Sequence, residues 1–133
     1  MIVLDTHVLV WADTDDHKLG RKTRALINRL WPLGQVTVSA ISFWEIGLLQ
    51  ARRRLRLSVS VVEWRDALLS AGVVELPLDG TAAVRALDLA GLHDDPADRF
   101  IAATALLHGA ALVTADDRLL AWGGTLPRYD ARK

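Results

Sequence analysis

The stretch HDDPADRFIAATALLHG, residues 93–109, decides how this sequence folds. Three aspartates, Asp94, Asp95 and Asp98, stand directly before a run that is apolar almost without a break. An aspartate followed by Pro96 is the pattern of a helix N-cap with proline at the first helical position. The stretch therefore predicts a buried helix that is capped by Asp95 and carries the carboxylate of Asp98 in its first turn.

The segments around this helix alternate between strand and helix patterns. Short β-rich runs occur at IVL, QVTVS, VVELP and ALVTAD, and TLPRYD near the C-terminus predicts an edge strand. Apolar residues at helical spacing lie between these runs, and several of the helical segments end at glycine or proline. This alternation predicts one α/β domain over residues 1–133, with a mostly parallel central sheet flanked by helices.

The composition limits the classes of protein to which the chain can belong. A chain of 133 residues can bury roughly two thirds of its extended surface in a single domain. The sequence has no cysteine, which excludes disulfides, thiolate zinc sites and cysteine nucleophiles. It shows neither a basic, apolar leader nor a window as long as a membrane span, so we expect a soluble, cytoplasmic protein that does not enter a membrane.

The charges balance, with 16 lysines and arginines against 16 aspartates and glutamates, so attraction of a nucleic acid requires a local patch. Four arginines crowd into five positions and form the candidate RNA-contacting patch: Arg52, Arg53, Arg54 and Arg56. The alternative is that these cations end a helix and offset its dipole.

Four carboxylates occupy equivalent places beyond predicted strands. Asp5 ends the first strand, and Asp116 follows the strand ALVT. Glu45 and Asp98 each lie in the first turns of a predicted helix and share a helical stripe with apolar residues. Because ligands in open α/β sheets bind beyond the carboxyl ends of the strands, we expect the four acids to converge on one site.

Helix capping is the alternative explanation for each of these acids. Asp5 could cap the first helix, and Asp116 or Asp117 the last one. Ser42 and Glu45 have the spacing of a capping box. Partly desolvated carboxylates that lie together repel one another, however, unless a cation neutralises them. An oxygen-only ligand set favours Mg²⁺, for which Mn²⁺ can substitute.

A site of this kind suits the hydrolysis of phosphodiester bonds. The sequence has no nucleophile elbow and no glycine-rich phosphate loop. Two other classes stay open. One is a phosphotransferase of the haloacid dehalogenase class with Asp5 as nucleophile, although His7 stands where that class has a second aspartate. The other is a non-catalytic interaction domain whose acids are helix caps.

Four segments, taken in order and spacing, resemble the PIN-domain ribonucleases, specifically the VapC-type toxins of bacterial toxin–antitoxin pairs. The segments are VLDTHVLVW, VSAISFWEI, HDDPADRFIAATA and LVTADDRL, and together they span nearly the whole chain. The resemblance implies a PIN-like fold and an endoribonuclease that depends on Mg²⁺ or Mn²⁺. It further implies inhibition by a cognate antitoxin and assembly into a homodimer.

The resemblance also implies a role for individual residues. It identifies four catalytic acids, of which all but the glutamate would bind the metal: Asp5, Glu45, Asp98 and Asp116. Thr6 matches the hydroxyl residue beside the first aspartate and would help to position a water or a metal ligand. Asp117 is the alternative position for the fourth acid.

For two histidines and two tryptophans the sequence predicts structural or supporting roles. His7 and His93 stand beside the proposed acids, and oxygen-ligand chemistry favours supporting roles for them over direct ligation. Trp11 and Trp44 lie in apolar helical segments, which predicts that both pack in the core.

Overall fold

A five-stranded parallel sheet forms the centre of the computed structural model, which describes residues 1–133. Its strands are β1 (Ile2–Leu4), β2 (Val36–Ser39), β3 (Val74–Leu76), β4 (Ala111–Thr114) and β5 (Arg128–Asp130). The strand order is β3-β2-β1-β4-β5, and every neighbouring pair is parallel. The predicted fold class is therefore confirmed, and TLPRYD supplies an edge strand.

Seven α-helices flank the sheet. They are α1 (Thr6–Asp13), α2 (Arg21–Leu30), α3 (Ile41–Ala51), α4 (Val61–Ser70), α5 (Gly80–Leu87), α6 (Pro96–Leu107) and α7 (Asp117–Ala121). A short 3-10 turn at Trp31–Leu33 follows α2. None of these helices combines the length and the apolar character needed to cross a membrane.

The alternation of side chains along β1 divides the interior into two layers. Ile2 and Leu4 pack with apolar residues of α1, α2 and α4. Val3 points to the other face and packs with α5, α6 and α7. All three side chains are buried, which explains why β1 consists of an uninterrupted apolar run rather than an alternating pattern.

Helix α6 is the helix that the stretch 93–109 predicts, and it is largely buried. Its buried residues include Asp98 and the run 101–105, which is rich in alanine and allows close packing against the sheet and α5. Asp95 is the N-cap, its Oδ1 accepting a hydrogen bond from the backbone N–H of Asp98 at 3.2 Å, and Pro96 is the first helical residue. The predicted start of this helix is confirmed.

The tryptophan prediction is wrong for Trp44. Its side chain lies on the outer face of α3 and is 58% exposed, because the neighbouring Phe43 and Ile46 occupy the face that packs in the core. Trp11 is half-buried against the core and also lines the cavity described below.

Arg99 anchors the connection between α5 and α6. Its guanidinium donates hydrogen bonds of 2.8–3.3 Å to five backbone carbonyl oxygens, those of Ala86, Leu87, Leu89, Leu92 and His93. This one side chain therefore satisfies the end of α5 and the loop that leads to α6.

Replacing Arg99 with methionine should lower the free energy of unfolding by about 2–4 kcal/mol, because several carbonyl oxygens lose their donor at once. Urea unfolding followed by circular dichroism measures the change. Arg85→Met is the matched control, since Arg85 is exposed on α5 and makes no side-chain hydrogen bond or ion pair. Equal losses in the two variants would contradict the anchoring role.

Candidate active site

A cavity of about 320 Å³ lies beyond the carboxyl ends of β1 and β4. These strands are neighbours in the sheet. From β1 the chain passes to β2 and β3 on one side, and β4 and β5 lie on the other side, so the crevice between β1 and β4 is a topological switch point. Five acids line the cavity, Asp5, Glu45, Asp95, Asp98 and Asp116, together with His7, Trp11, Ala115 and Arg118. The structure thus brings the four predicted acids to one place.

Asp5 is buried at the end of β1 and is held by both of its carboxylate oxygens. The backbone N–H of Thr6 donates to Oδ1 at 2.8 Å, which makes Asp5 the N-cap of α1. The hydroxyl of Thr114, the last residue of β4, donates to Oδ2 at 2.6 Å. Burial raises the pKa of Asp5, and these two hydrogen bonds act in the opposite direction.

Glu45 reaches the cavity from α3 through a contact with Thr6. The Thr6 hydroxyl donates to Glu45 Oε1 and is also hydrogen-bonded to Ser42 Oγ at 3.0 Å. Burial raises the pKa of Glu45, the hydrogen bond from Thr6 lowers it, and the charge of Asp5 raises it further.

The predicted capping box of Ser42 and Glu45 is wrong. Helix α3 begins at Ile41, and its N-cap, Ala40, makes no side-chain capping bond. Ser42 therefore lies inside the helix, where its hydroxyl is turned toward Thr6 rather than toward the backbone at the helix start.

Asp98 lies in the first turn of α6 and is buried. Its Oδ2 is 2.6 Å from Nε2 of His93. Burial raises the pKa of Asp98 to about 6, against the hydrogen bond from His93, and the charge of Asp5 adds to the increase. The ring nitrogen Nδ1 of His93 is buried without a hydrogen-bond partner, so the imidazole contacts the site through Nε2 alone.

Asp116 caps α7, accepting a hydrogen bond from the backbone N–H of Arg118 at 2.8 Å. The Arg118 guanidinium lies 3.0 Å from Asp116 Oδ2 and 3.7 Å from Asp98 Oδ2. Burial raises the pKa of Asp116, but the hydrogen bonds and charge of Arg118 outweigh it and hold that pKa below its usual value.

The alternative acid, Asp117, does not reach the cavity. Its side chain is 82% exposed and pairs with Arg132 at 2.8 Å. The structure therefore places Asp116, and not Asp117, among the other acids, and it gives no support to a role for Asp117 at the site.

The four arginines of the basic cluster lie outside the acidic cavity. Arg52 is the C-cap of α3, so the cluster stands at a helix end as the alternative explanation requires. All four side chains are exposed, and three of them line a second cavity together with Gln50 and Leu55: Arg53, Arg54 and Arg56.

The donor set of the acidic cavity fits a hard divalent cation. Carboxylate oxygens from several elements face one space, and their mutual repulsion contributes to the raised pKa values of Asp5, Glu45 and Asp98. One oxygen each of Asp98 and Asp116 and one nitrogen of His93 lie within 4.8 Å of one another. Asp98 and Asp116 therefore lie close enough to share one ion together with His93, and Asp5 is not among these three residues.

Three residues with contacts at this site were not assigned there from the sequence pattern: Ser42, Thr114 and Arg118. Their contacts join elements distant in sequence or depend on side-chain direction, neither of which leaves a periodic trace. Thr114 had the clearest signal, because it precedes Asp116 by two residues at the end of a strand. Its hydroxyl accepts the backbone N–H of Asp116 at 3.0 Å, which explains that spacing.

Comparison with known proteins gives concordant results. The sequence matches the PIN domain family over residues 2–123. It is 33% identical to Ribonuclease VapC22 of Mycobacterium tuberculosis (strain ATCC 25618 / H37Rv) over 119 residues, which cover 89% of this chain and 88% of that protein.

Two solved structures illustrate the similarity of fold. VapBC-1 from nontypeable Haemophilus influenzae superposes with a TM-score of 0.72 at 19% identity, covering 100% of both chains. DNA-bound VapBC from Salmonella typhimurium gives a TM-score of 0.69 at 18% identity, covering 97% of this chain and 96% of that one. A family match across most of the sequence, a relative one-third identical and a shared fold lead to one conclusion: the chain belongs to the PIN domain family.

Proposed function

We propose that this chain is a Mg²⁺-dependent endoribonuclease that hydrolyses RNA phosphodiester bonds, and that residues 1–133 act as a single PIN-like nuclease domain. The observation that carries the proposal is the convergence of Asp5, Glu45, Asp98 and Asp116 on one cavity at the switch point of the sheet. The ribonuclease name of the one-third identical relative supports RNA as the substrate.

The side chains divide into two roles in this proposal. Asp5, Asp98 and Asp116 would hold the cation, and Mn²⁺ could replace Mg²⁺ because both accept carboxylate oxygens. A bound divalent cation lowers the pKa of water and offsets negative charge on the leaving oxygen. Thr6 positions Glu45, the acid outside this set of three, since its hydroxyl donates to Glu45.

Glu45 is the residue that we assign to proton transfer. Hydrolysis joins the oxygen of water to phosphorus and breaks the bond to the leaving ribose oxygen, so a proton must leave the water and another must reach that ribose oxygen. Glu45 lines the cavity, and burial raises its pKa, which suits a group that takes up and returns a proton at Oε.

A phosphotransferase of the haloacid dehalogenase class has little support. His7, two residues after Asp5, lines the cavity where that class uses an aspartate, and no lysine lines the cavity. A purely capping role explains Asp5, Asp95 and Asp116, each of which caps a helix. It does not explain why Glu45 and Asp98, which are not N-caps, face the same space.

We further propose that the chain acts in the cytoplasm as the toxin of a toxin–antitoxin pair, inhibited by a cognate antitoxin protein, and that it forms a homodimer. Support for the antitoxin comes from the structural neighbours, one of which is a toxin–antitoxin complex from Klebsiella pneumoniae. Sedimentation of the purified chain, alone and with a co-expressed partner, would separate monomer, dimer and complex, and a strictly monomeric chain would contradict the dimer.

The arginine cluster is the surface that we assign to the RNA backbone outside the cavity. Arg52, the C-cap of α3, follows Glu45 by seven positions, which corresponds to about 10 Å along the helix axis. A strand of RNA that enters the acidic cavity could therefore extend to these exposed guanidinium groups, whose charge suits phosphate.

Purified protein should cut end-labelled RNA in Mg²⁺ or Mn²⁺, and cutting should stop with chelator or in Asp5→Asn, because that change removes a candidate ligand. Asp116→Asn should also lose cleavage, whereas the matched neutralisation Asp117→Asn should keep it. Thermal melting checks that each variant is folded. Metal-independent cleavage, or full activity in folded Asp5→Asn, would refute the proposal.

Asp98→Asn should stabilise the metal-free protein at pH 7.5 by about 2 kcal/mol. A shift of about two pKa units corresponds to ~3 kcal/mol, and the lost helix-dipole attraction, up to ~1 kcal/mol, offsets part of the gain. The folded-state pKa of about 6 lies above the ordinary aspartate value of 3.8. Asp98 therefore favours folding most fully below pH 3.8, and this contribution disappears as the pH rises through 6.

Melting curves at pH 5 and pH 7.5 measure this difference. Metal-free wild type should lose more stability than Asp98→Asn between the two values, and Mn²⁺ should raise the melting temperature of wild type more than that of the variant. Asp94→Asn, an exposed neighbour, should behave as wild type. A destabilised Asp98→Asn that responds fully to Mn²⁺ would favour the capping explanation.

Arg53→Gln combined with Arg54→Gln should raise KM for RNA more than it lowers kcat, because the cluster is assigned to binding and not to chemistry. The slope of log(kcat/KM) against log salt concentration should become shallower by about 0.7 for each RNA phosphate that the variant no longer neutralises. Neutralisation of Arg21 and Arg29 on α2 is the control. Identical salt slopes in both double variants would remove the cluster from the RNA path.

A further inference from the structure

Arg118 is the cation that the protein itself places in the acidic cavity. It is the second residue of α7, and no other arginine or lysine lines the cavity. Its guanidinium bridges Asp116 Oδ2 at 3.0 Å and Asp98 Oδ2 at 3.7 Å. Both carboxylates are candidate metal ligands, so Arg118 occupies the charge position that a divalent cation would take over.

The guanidinium of Arg118 is held loosely enough to move away from the two carboxylates. Its side chain is 60% exposed, and its guanidinium makes no hydrogen bond to a backbone carbonyl. The guanidinium of Arg99, in contrast, is fixed by five carbonyl oxygens. Since a cation and a guanidinium on the same oxygens repel each other, Arg118 can turn away from the carboxylates with little loss of structure.

The protein contains a second copy of the same local arrangement outside the cavity. Asp116 and Arg118 form a fork through Nε and Nη2, and Asp130 and Arg132 form a similar fork through the same two nitrogens. Arg132 also pairs with the exposed Asp117. The pairing of an aspartate with an arginine two residues later is therefore a local structural feature that needs no cavity. What distinguishes Arg118 from Arg132 is its place among the acids of the cavity.

An RNA phosphate that approaches this cavity meets a strongly negative surface. Five carboxylates line the space, so the substrate needs a positive group at the mouth. A guanidinium binds the two nonbridging oxygens of a phosphate through paired N–H groups, which a lysine cannot reproduce. Arg118 lines the cavity with a partly exposed side chain and supplies this guanidinium.

We propose that Arg118 exchanges partners during the reaction: it pairs with Asp116 and Asp98 in the metal-free protein and binds the nonbridging oxygens of the RNA phosphate once a cation occupies the carboxylates. This inference rests on the proposed ribonuclease function. It makes Arg118 a catalytic residue that lowers metal affinity in the absence of substrate and supports cleavage in its presence.

Arg118→Gln and its matched control Arg132→Gln test the two halves separately. Without RNA, Arg118→Gln should bind Mn²⁺ with a Kd lowered about threefold or more, because a competing charge is gone. With saturating Mn²⁺, its kcat/KM for RNA should fall about 100-fold or more. Arg132→Gln should change neither quantity, and Arg118→Lys should restore only part of the cleavage.

The outcomes separate this inference from the function on which it rests. If wild type cuts no RNA under any metal condition, the proposed function fails and the phosphate role fails with it. If wild type cuts RNA and Arg118→Gln cuts equally well, only the role of Arg118 is overturned. Weaker Mn²⁺ binding by folded Arg118→Gln would likewise overturn it, because the side chain would then be supporting Asp116 and Asp98 rather than competing for them.

Discussion

The arrangement of the cavity depends on the hydrogen bonds that hold the buried carboxylate of Asp5. A buried charge is tolerated only when hydrogen bonds replace its hydration. Here the start of α1 supplies one donor, from Thr6, and the end of β4 supplies the other, from Thr114. The Thr114 hydroxyl also accepts the N–H of Asp116. A short chain of hydrogen bonds therefore fixes Asp5 and Asp116 relative to each other.

Helix capping and ligand binding are not exclusive roles at this site. Asp5, Asp95 and Asp116 all cap helices, and a helix N-terminus stabilises the ionised carboxylate. Because β1 and β4 are parallel neighbours, the helices that follow them, α1 and α7, begin at the same edge of the sheet, so Asp5 and Asp116 meet there. Helix α6 follows α5 and brings Asp95 to the same cavity. The fold thus uses a local stabilising feature to assemble charges that would otherwise repel one another.

The sequence was sufficient for elements that depend on local patterns, such as the apolar run of β1 and the aspartate–proline start of α6. The contact of Ser42 was not predictable, because its hydroxyl is hydrogen-bonded to Thr6, which lies 36 residues away, instead of capping its own helix. The exposure of Trp44 could not be predicted from the sequence, since apolar residues on several faces of a helix do not show which face packs in the core. Arg118 and Arg132 both follow an aspartate by two residues, yet only Arg118 enters the cavity. Strand order separates them, because it places the end of β4 beside β1 and the end of β5 at the sheet edge.

Electrostatics provide the strongest argument that the acids do more than support the fold. Arg118 holds the pKa of Asp116 low, whereas burial raises the pKa of Glu45 and brings that of Asp98 to about 6. Near neutral pH the metal-free protein therefore keeps Asp98 ionised in a place that disfavours the charge. Asp95 already caps the helix, and the helix dipole and the contact with His93 offset only part of the cost of the Asp98 charge. A cation shared with Asp116 would offset the remaining cost, because binding to the folded state alone would return the stability that the crowded charges remove.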